Sequence, residues 1–441
     1  MKRFVVVQTV LVLIWMLAAC QSSQEREPVV LKLYGVYEEF FAPGYKDRFE
    51  EEYPHIDVEI LPYEYQSDGD PVLNLKSRIR EHTPDIVFTG TTTFVGAIEE
   101  GLLLPLDPYI EESGFPLDTM PNAVVQKLRQ EGDGQIYGLA PEFSSAALFF
   151  NKTLFQQYQV ELPKDGMSWQ GLFDLAARFP QVTEDGAPFW GFLSPGQQDP
   201  EKKLYYLIKR AGKSENLTIV DVENDTVTLQ TPAWQNIWNT FVQAYRGGLI
   251  SNMEYEELHP DSNLAGIHAD ERYASFLNGQ AAMVVGENEL LNLAIDQESL
   301  DFGLVTPPGT YQIYLQNTVF NITRESAHPE EAWTFISFAL SDEMAKHKLG
   351  IDNVFGGWRN LPARITHLEQ KLNHDLSAFY KQDAAHSGIY SLFSEIPTAF
   401  IIYERDATLE ELKLVLAEEK TVVEAITDLQ AKLEVAWREM R

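Results

Sequence analysis

The chain has 441 residues, too many for one ordinary hydrophobic core, so two domains are expected. Apolar residues make up 44% and aromatics 12%, which excludes a disordered polypeptide. A formal net charge of −32 repels nucleic acid and anionic headgroups, so no nucleic-acid partner is expected; it keeps the chain soluble without choosing a ligand.

Lys2 and Arg3 open the chain, and Val10 to Ala19 is an unbroken apolar run. Spanning a bilayer takes about 20 apolar residues, so this run is too short alone. Charge, a short apolar core and then small residues is the order of a secretory signal. The alternative, an anchor helix from Phe4 to Ala19, is interrupted by Gln8 and Thr9. Cys20 is the only cysteine, so no intrachain disulfide can form. Leu17-Ala18-Ala19-Cys20 resembles the bacterial lipobox. That resemblance implies a signal peptide over 1–19, a diacylglyceryl group on the Cys20 sulfur, and a lipidated tether over 20–28. The polar stretch Gln21–Pro28 would reach at most about 27 Å when stretched.

From Val29 strand and helix alternate. VVLKLYGV is a short strand with Gly35 near its end, and FAPGYKDRFEEEYP places Phe41, Tyr45 and Phe49 at helical spacing. IDVEILPY alternates Ile56, Val58 and Ile60 as a half-buried strand, and PVLNLKSRIREH gathers Val72, Leu75 and Ile79 on one helical face. PDIVFTG is a strand and TFVGAIEEG a helix. AALFF, FWGFL, AAMVVG and DFGLVTPPG read as further strands, with TVTLQ following the turn-forming ENDT. Ser168 caps SWQGLFDLAARF, and Pro232 opens a helix that stops at Gly247-Gly248. HPEEAWTFISFALS and the final 30 residues are helical, the latter with a docking stripe of Val422, Ala425, Ile426 and Leu429. Such alternation implies right-handed crossovers and a mainly parallel sheet, with ligand loops at the carboxyl ends of its strands.

The common signatures of catalysis are missing. No His-Glu-x-x-His pair, cysteine pair or Gly-x-Ser-x-Gly elbow occurs, so no metal or cofactor is expected. GDGQIYG at Gly132–Gly138 has its third glycine one place late for a dinucleotide loop and reads as a hairpin turn. DVENDT lacks the glycine and final glutamate of a calcium loop and reads as a turn. With 66 acidic residues, paired carboxylates for glycoside cleavage stay open.

Six segments in order, PDIVFTGTTTFVGAIEEGLLLPLDPYI, GQIYGLAPEFSSAALFFNKTLF, FLNGQAAMVVGENELL, DFGLVTPPG, NTVFNITRESAHPEEAWTFISFALSDE and LPAR, resemble the extracellular solute-binding proteins of ABC importers, in the class typified by maltose-binding protein. The resemblance implies an α/β, two-lobe periplasmic-binding-protein fold of type II, each lobe a mainly parallel sheet flanked by helices and joined by a multi-segment hinge. Crossings fall near Pro141, Thr306 and Leu340, giving a first lobe of 29–141 plus 306–340 and a second of 142–305 plus 341–441.

The resemblance also implies ligand residues. Tyr37, Glu38 and Glu39 match a ligand loop, where the two acids serve equally as charges on a helix start. Thr91, Thr92 and Thr93 follow the third strand; Ser144 and Ser145 follow the first crossing; Glu287 and Asn288 follow AAMVVG, a turn that carries tryptophan in many relatives. Trp358 and Arg359 lie in GGWRNLPAR, with Trp358 the foremost stacking candidate, and Trp190 and Tyr314 stand behind it. Trp169, Trp234, Trp238, Trp333 and Trp437 read as packing residues. A binding lipoprotein follows, a monomer held at the outer face of the cell membrane or the periplasmic side of an envelope membrane, that captures a mono- or oligosaccharide for a permease without chemistry. A polyamine, peptide or glycerol-phosphate ligand, a sensory receptor, and a lipoprotein enzyme such as a glycosidase are the alternatives.

Overall fold

The computed structural model describes residues 27–63, 70–195, 199–250, 269–309, 319–350, 360–382 and 396–441. Cys20, the signal, most of the tether, Tyr314, Trp358 and Arg359 lie outside the described residues.

Twelve strands are described: β1 (Val29–Tyr34), β2 (Ile56–Ile60), β3 (Ile86–Thr89), β4 (Glu142–Phe143), β5 (Ala146–Asn151), β6 (Trp190–Leu193), β7 (Val220–Asp221), β8 (Thr226–Val227), β9 (Ala281–Glu287), β10 (Phe302–Val305), β11 (Val319–Ile322) and β12 (Leu361–Pro362). The first sheet has the order β11-β3-β1-β2, with β1, β2 and β3 parallel and β11 antiparallel to β3. The second has the order β10-β5-β9-β6, with β6 parallel to β9 and β5 antiparallel to both β9 and β10. Each sheet carries helices, giving two α/β lobes. β4 and β12 pair antiparallel as a small ribbon outside both sheets.

The apolar pattern explains the elements. Leu31, Leu33, Ile56, Val58 and all of β3 are buried, as alternating and continuous β-rich runs require. In the helix Pro71–His82, Leu75 and Ile79 are buried, Val72 is half-buried, and Asp70 caps the start through Val72 N and Leu73 N. Ser168 accepts from Gly171 N as expected. The five tryptophans read as packing residues are all buried.

Two local readings change. FAPGYKDRFEEEYP does not form one regular helix: Glu38–Phe41 and Asp47–Glu52 flank a π-helical turn at Ala42–Lys46, where Pro43 withholds a backbone donor. GDGQIYG is no hairpin; it is the turn that ends the helix Asn122–Glu131, with Gly132 N and Gly134 N donating to Arg129 O. DVENDT does turn, between β7 and β8, with Asn224 N on Asp221 and Asp225 at positive φ.

The helices Thr398–Leu416 and Val422–Met440 form a hairpin against the helices Pro200–Ser214 and Pro232–Arg246 of the second lobe. Glu411, fully buried, is held by Lys420 (2.7 Å) and Lys432 (2.9 Å). Gln430 is buried; its amide donates to Val227 O (2.7 Å), and its carbonyl accepts from Leu229 N (2.9 Å) and Gln230 N (3.2 Å).

Replacing Gln430 with Ala strands the buried Leu229 N–H and Val227 carbonyl, and the second lobe should lose about 2 kcal/mol, read as a lower denaturation midpoint. His374 packs on Phe302, with ring centroids 4.7 Å apart. Burial, with Lys152 nearby, holds its pKa below the ordinary value of 6.5, against Asp375 and Asp301. The unfolded chain therefore binds this proton first, so stability is complete above about pH 6.5 and declines as pH falls through the lower folded-state value. A His374→Phe variant should flatten that decline in thermal midpoints measured from about pH 7.5 to about pH 5.

Candidate functional site

Strand direction sets where ligand loops gather. In the first lobe the carboxyl ends of β1, β2 and β3 share an edge with the start of β11, because Val319 pairs with Thr89. In the second, Ala146 pairs with Glu287 and Val305 with Leu148. The ends of β6, β9 and β10 thus share an edge with the start of β5. Leu139 bridges to Phe320 beside the first edge, and β5 begins at Ala146 on the second. Only the stretch from Ala140 to Ser145 separates the two edges.

On the first edge Gly35 makes the turn out of β1. Its φ is +107°, and a Cβ there would stand 2.8 Å from Phe88 O, so only glycine fits. Tyr37 follows, 46% exposed, its ring edge-on to Tyr63 at 5.2 Å; Tyr63 meets Tyr34 at 5.6 Å. Glu38 and Glu39 occupy the first turn of the helix Glu38–Phe41, and Glu38 stands 3.8 Å from Lys46. Thr91 begins the helix Thr91–Glu99; Thr92 is exposed and Thr93 half-buried in its first turn. No side chain caps that helix, so its leading N–H groups face the edge.

On the second edge Ser144 and Ser145 are buried, and Ser144 Oγ donates to Asn360 Oδ1 (2.9 Å). Glu287 is half-buried and Asn288 buried at the start of the helix Asn288–Asp296. The next residue, Glu289, is fixed by Arg272 (2.7 Å), and burial raises its pKa. Trp190 is not with them. Its partner is Ala281, at the opposite end of β9 from Glu287, so it stands at the far edge and packs against the apolar core.

Sequence reasoning missed several residues here. Tyr63 was legible as the aromatic just past β2, and Ser194 as the residue just past β6. Tyr45, Glu142, Lys348 and Asn360 were not, since they meet across the whole chain. Lys348 Nζ donates to Tyr45 Oη (2.8 Å) and to the Glu142 carboxylate; Asn360 Nδ2 also donates to Glu142 (3.3 Å). Burial pushes Tyr45 up to about 12, although Lys348 works against it. Burial also favours a neutral Lys348, but Glu142 and Tyr45 outweigh it and hold its pKa above the ordinary lysine value.

A cavity of about 350 Å3 lined by Leu104, Pro105, Pro108, Tyr109, Glu112 and Glu330 lies elsewhere, near the Leu103–Thr323 bridge at the other end of the first sheet. Among the described residues no cluster of His, Cys, Asp and Glu is arranged to hold a metal ion.

Two α/β lobes with ligand edges joined by a short crossing define a two-lobe binding protein of type II. The chain belongs to the bacterial extracellular solute-binding protein family, whose model matches residues 35–346, and is thus an exported solute-binding protein of the ABC-import class. A binding protein of Brucella abortus is 23% identical over 315 residues, 68% of each chain. An ABC substrate-binding protein from Listeria monocytogenes, solved in complex with cycloalternan, is similar at 18% identity and a TM-score of 0.53, covering 93% of this chain and 99% of that one. The cyclic alpha-maltosyl-1,6-maltose binding protein from Arthrobacter globiformis is similar at 16% identity and a TM-score of 0.57, covering 93% and 100%.

Proposed function

We propose that this chain captures an oligosaccharide between its lobes, releases it unchanged to a membrane permease, and is held beside that permease by lipid on Cys20. The observation that carries the sugar reading is the aromatic set at the first edge. Tyr37 offers an exposed ring face buttressed by Tyr63 and Tyr34, and aromatic faces suit the apolar C–H faces of sugar rings. Thr92, Thr93 and the leading N–H groups of their helix supply donors for hydroxyls, and Glu287 an acceptor from the opposite lobe. The Listeria and Arthrobacter proteins, named for cyclic glucan ligands, support the same class. These residues hold the sugar without breaking a bond, and it leaves as it entered.

Titration calorimetry with maltotetraose and a cyclic tetrasaccharide should give dissociation constants near the micromolar range, about −8 kcal/mol. Tyr63→Ala, which removes the buttress of Tyr37, should weaken binding at least about tenfold, or about 1.4 kcal/mol. Heat from a polyamine or peptide with none from sugars overturns the ligand class, and shortened sugar products overturn binding without chemistry. Cys20→Ser should abolish fatty-acid labelling and release the protein from the membrane fraction; unchanged labelling removes the anchor from that residue.

A further inference from the structure

Closure of two lobes must bend the crossing segments, and contacts decide which residues bend. The β4–β12 ribbon is bound to the first lobe along both strands. On β4, the Glu142 carboxylate receives Lys348 Nζ, which also donates to Tyr45 Oη and stands 4.6 Å from that ring's centroid. Tyr45 is buried in the first lobe, 5.0 Å from Phe41 and 5.5 Å from Phe320 of β11, centroid to centroid. Beside β12, Asn360 joins Glu142 to Ser144. Past it, Ala363 N donates to Pro141 O (2.7 Å), and the buried Arg364 donates to Leu340 O (2.9 Å) at the end of the first-lobe helix Pro329–Ala339. The second crossing is held from the other side. Thr306 N donates to Asp165 and its Oγ1 accepts from Gly166 N, while Gln382 reaches Pro307 O, all in contact with the second lobe.

We propose that Lys348 is a hinge-positioning residue: by joining Tyr45 to Glu142 it makes the ribbon travel with the first lobe and confines the bend of the first crossing to Ser145. Ser145 is the single residue between Ser144, bonded to Asn360, and β5. Lys348 and Glu142 are half-buried, and removing one partner leaves the other's charge without its counter-charge, so the pair persists while the lobes rotate.

The test is amide hydrogen exchange by mass spectrometry on the full-length chain without added solute. Lys348→Met should speed exchange in peptides covering 139–144 and 360–364 at least about tenfold, since a lost ribbon contact is local opening. Peptides covering β3 and β9 should exchange as before. Tyr45→Phe, which keeps the Lys348–Glu142 pair, should give a smaller effect confined to the same peptides. Glu142→Gln should reproduce the lysine variant and serves if Lys348→Met does not fold. Unchanged ribbon exchange overturns the proposal, and so does faster exchange spread evenly through the first lobe, which marks a merely structural lysine. The reading stands or falls without reference to the ligand.

Discussion

A chain that leaves one sheet and comes back to finish it must bring distant residues into register, and the antiparallel pairing of β11 with β3 does so. Asn321 is its fastening. Fully buried, its amide donates to Val87 O and Thr89 Oγ1, contacts that span 234 and 232 positions and close the edge of β3, and also to Val319 O on its own strand. Gly138 leaves room for this side chain, since a Cβ there would stand 2.2 Å from Asn321 Oδ1. The same pairing sets Val319 at the ligand edge and turns the chain at Leu139 toward the ribbon. Discontinuous lobes, facing edges and a multi-strand crossing all follow from it.

The electrostatics separate into a solvated acidic surface and a few buried acids with defined partners. Glu411 and Glu404 are almost wholly enclosed, and each meets lysine: Lys420 and Lys432 for the first, Lys209 for the second. The Glu411 contacts lock the terminal helix hairpin together, and the Glu404–Lys209 pair ties that hairpin to the helix Pro200–Ser214 of the second lobe. Glu142 is only half-buried, and its ion pair with Lys348 stands where the β4–β12 ribbon meets the first lobe.

Much of this architecture was legible in the sequence because its signals are local. The β-branched runs at Val29, Ile56 and Ile86 and the helical stripe of Val422, Ala425, Ile426 and Leu429 announce their own burial, and all four stripe residues are buried. Pro43 shows the limit: the spacing of Phe41, Tyr45 and Phe49 promised one helix, yet the missing donor imposed a π turn that still buries all three rings. The candidate first-lobe edge was legible to the extent that it follows strand ends, past which Tyr37 and Thr92 stand. Trp190 misled because composition marks a stacking residue but not which end of a strand it occupies; only the register with Ala281 decides that. The Lys348 junction left no local trace, since its lysine, tyrosine and carboxylate each sit in unremarkable contexts and meet only through tertiary folding.

The late arrival of β11 has a consequence for biogenesis. A polypeptide emerging from a secretion channel presents β1, β2 and β3 long before the strand that completes their sheet. Loop-closure entropy delays such non-local pairing and makes folding slow. The first lobe therefore stays open-chained until about three quarters of the protein has emerged. An order of synthesis that postpones compaction keeps the precursor threadable while it is being exported, so the topology that builds the hinge also suits the chain to its route out of the cell.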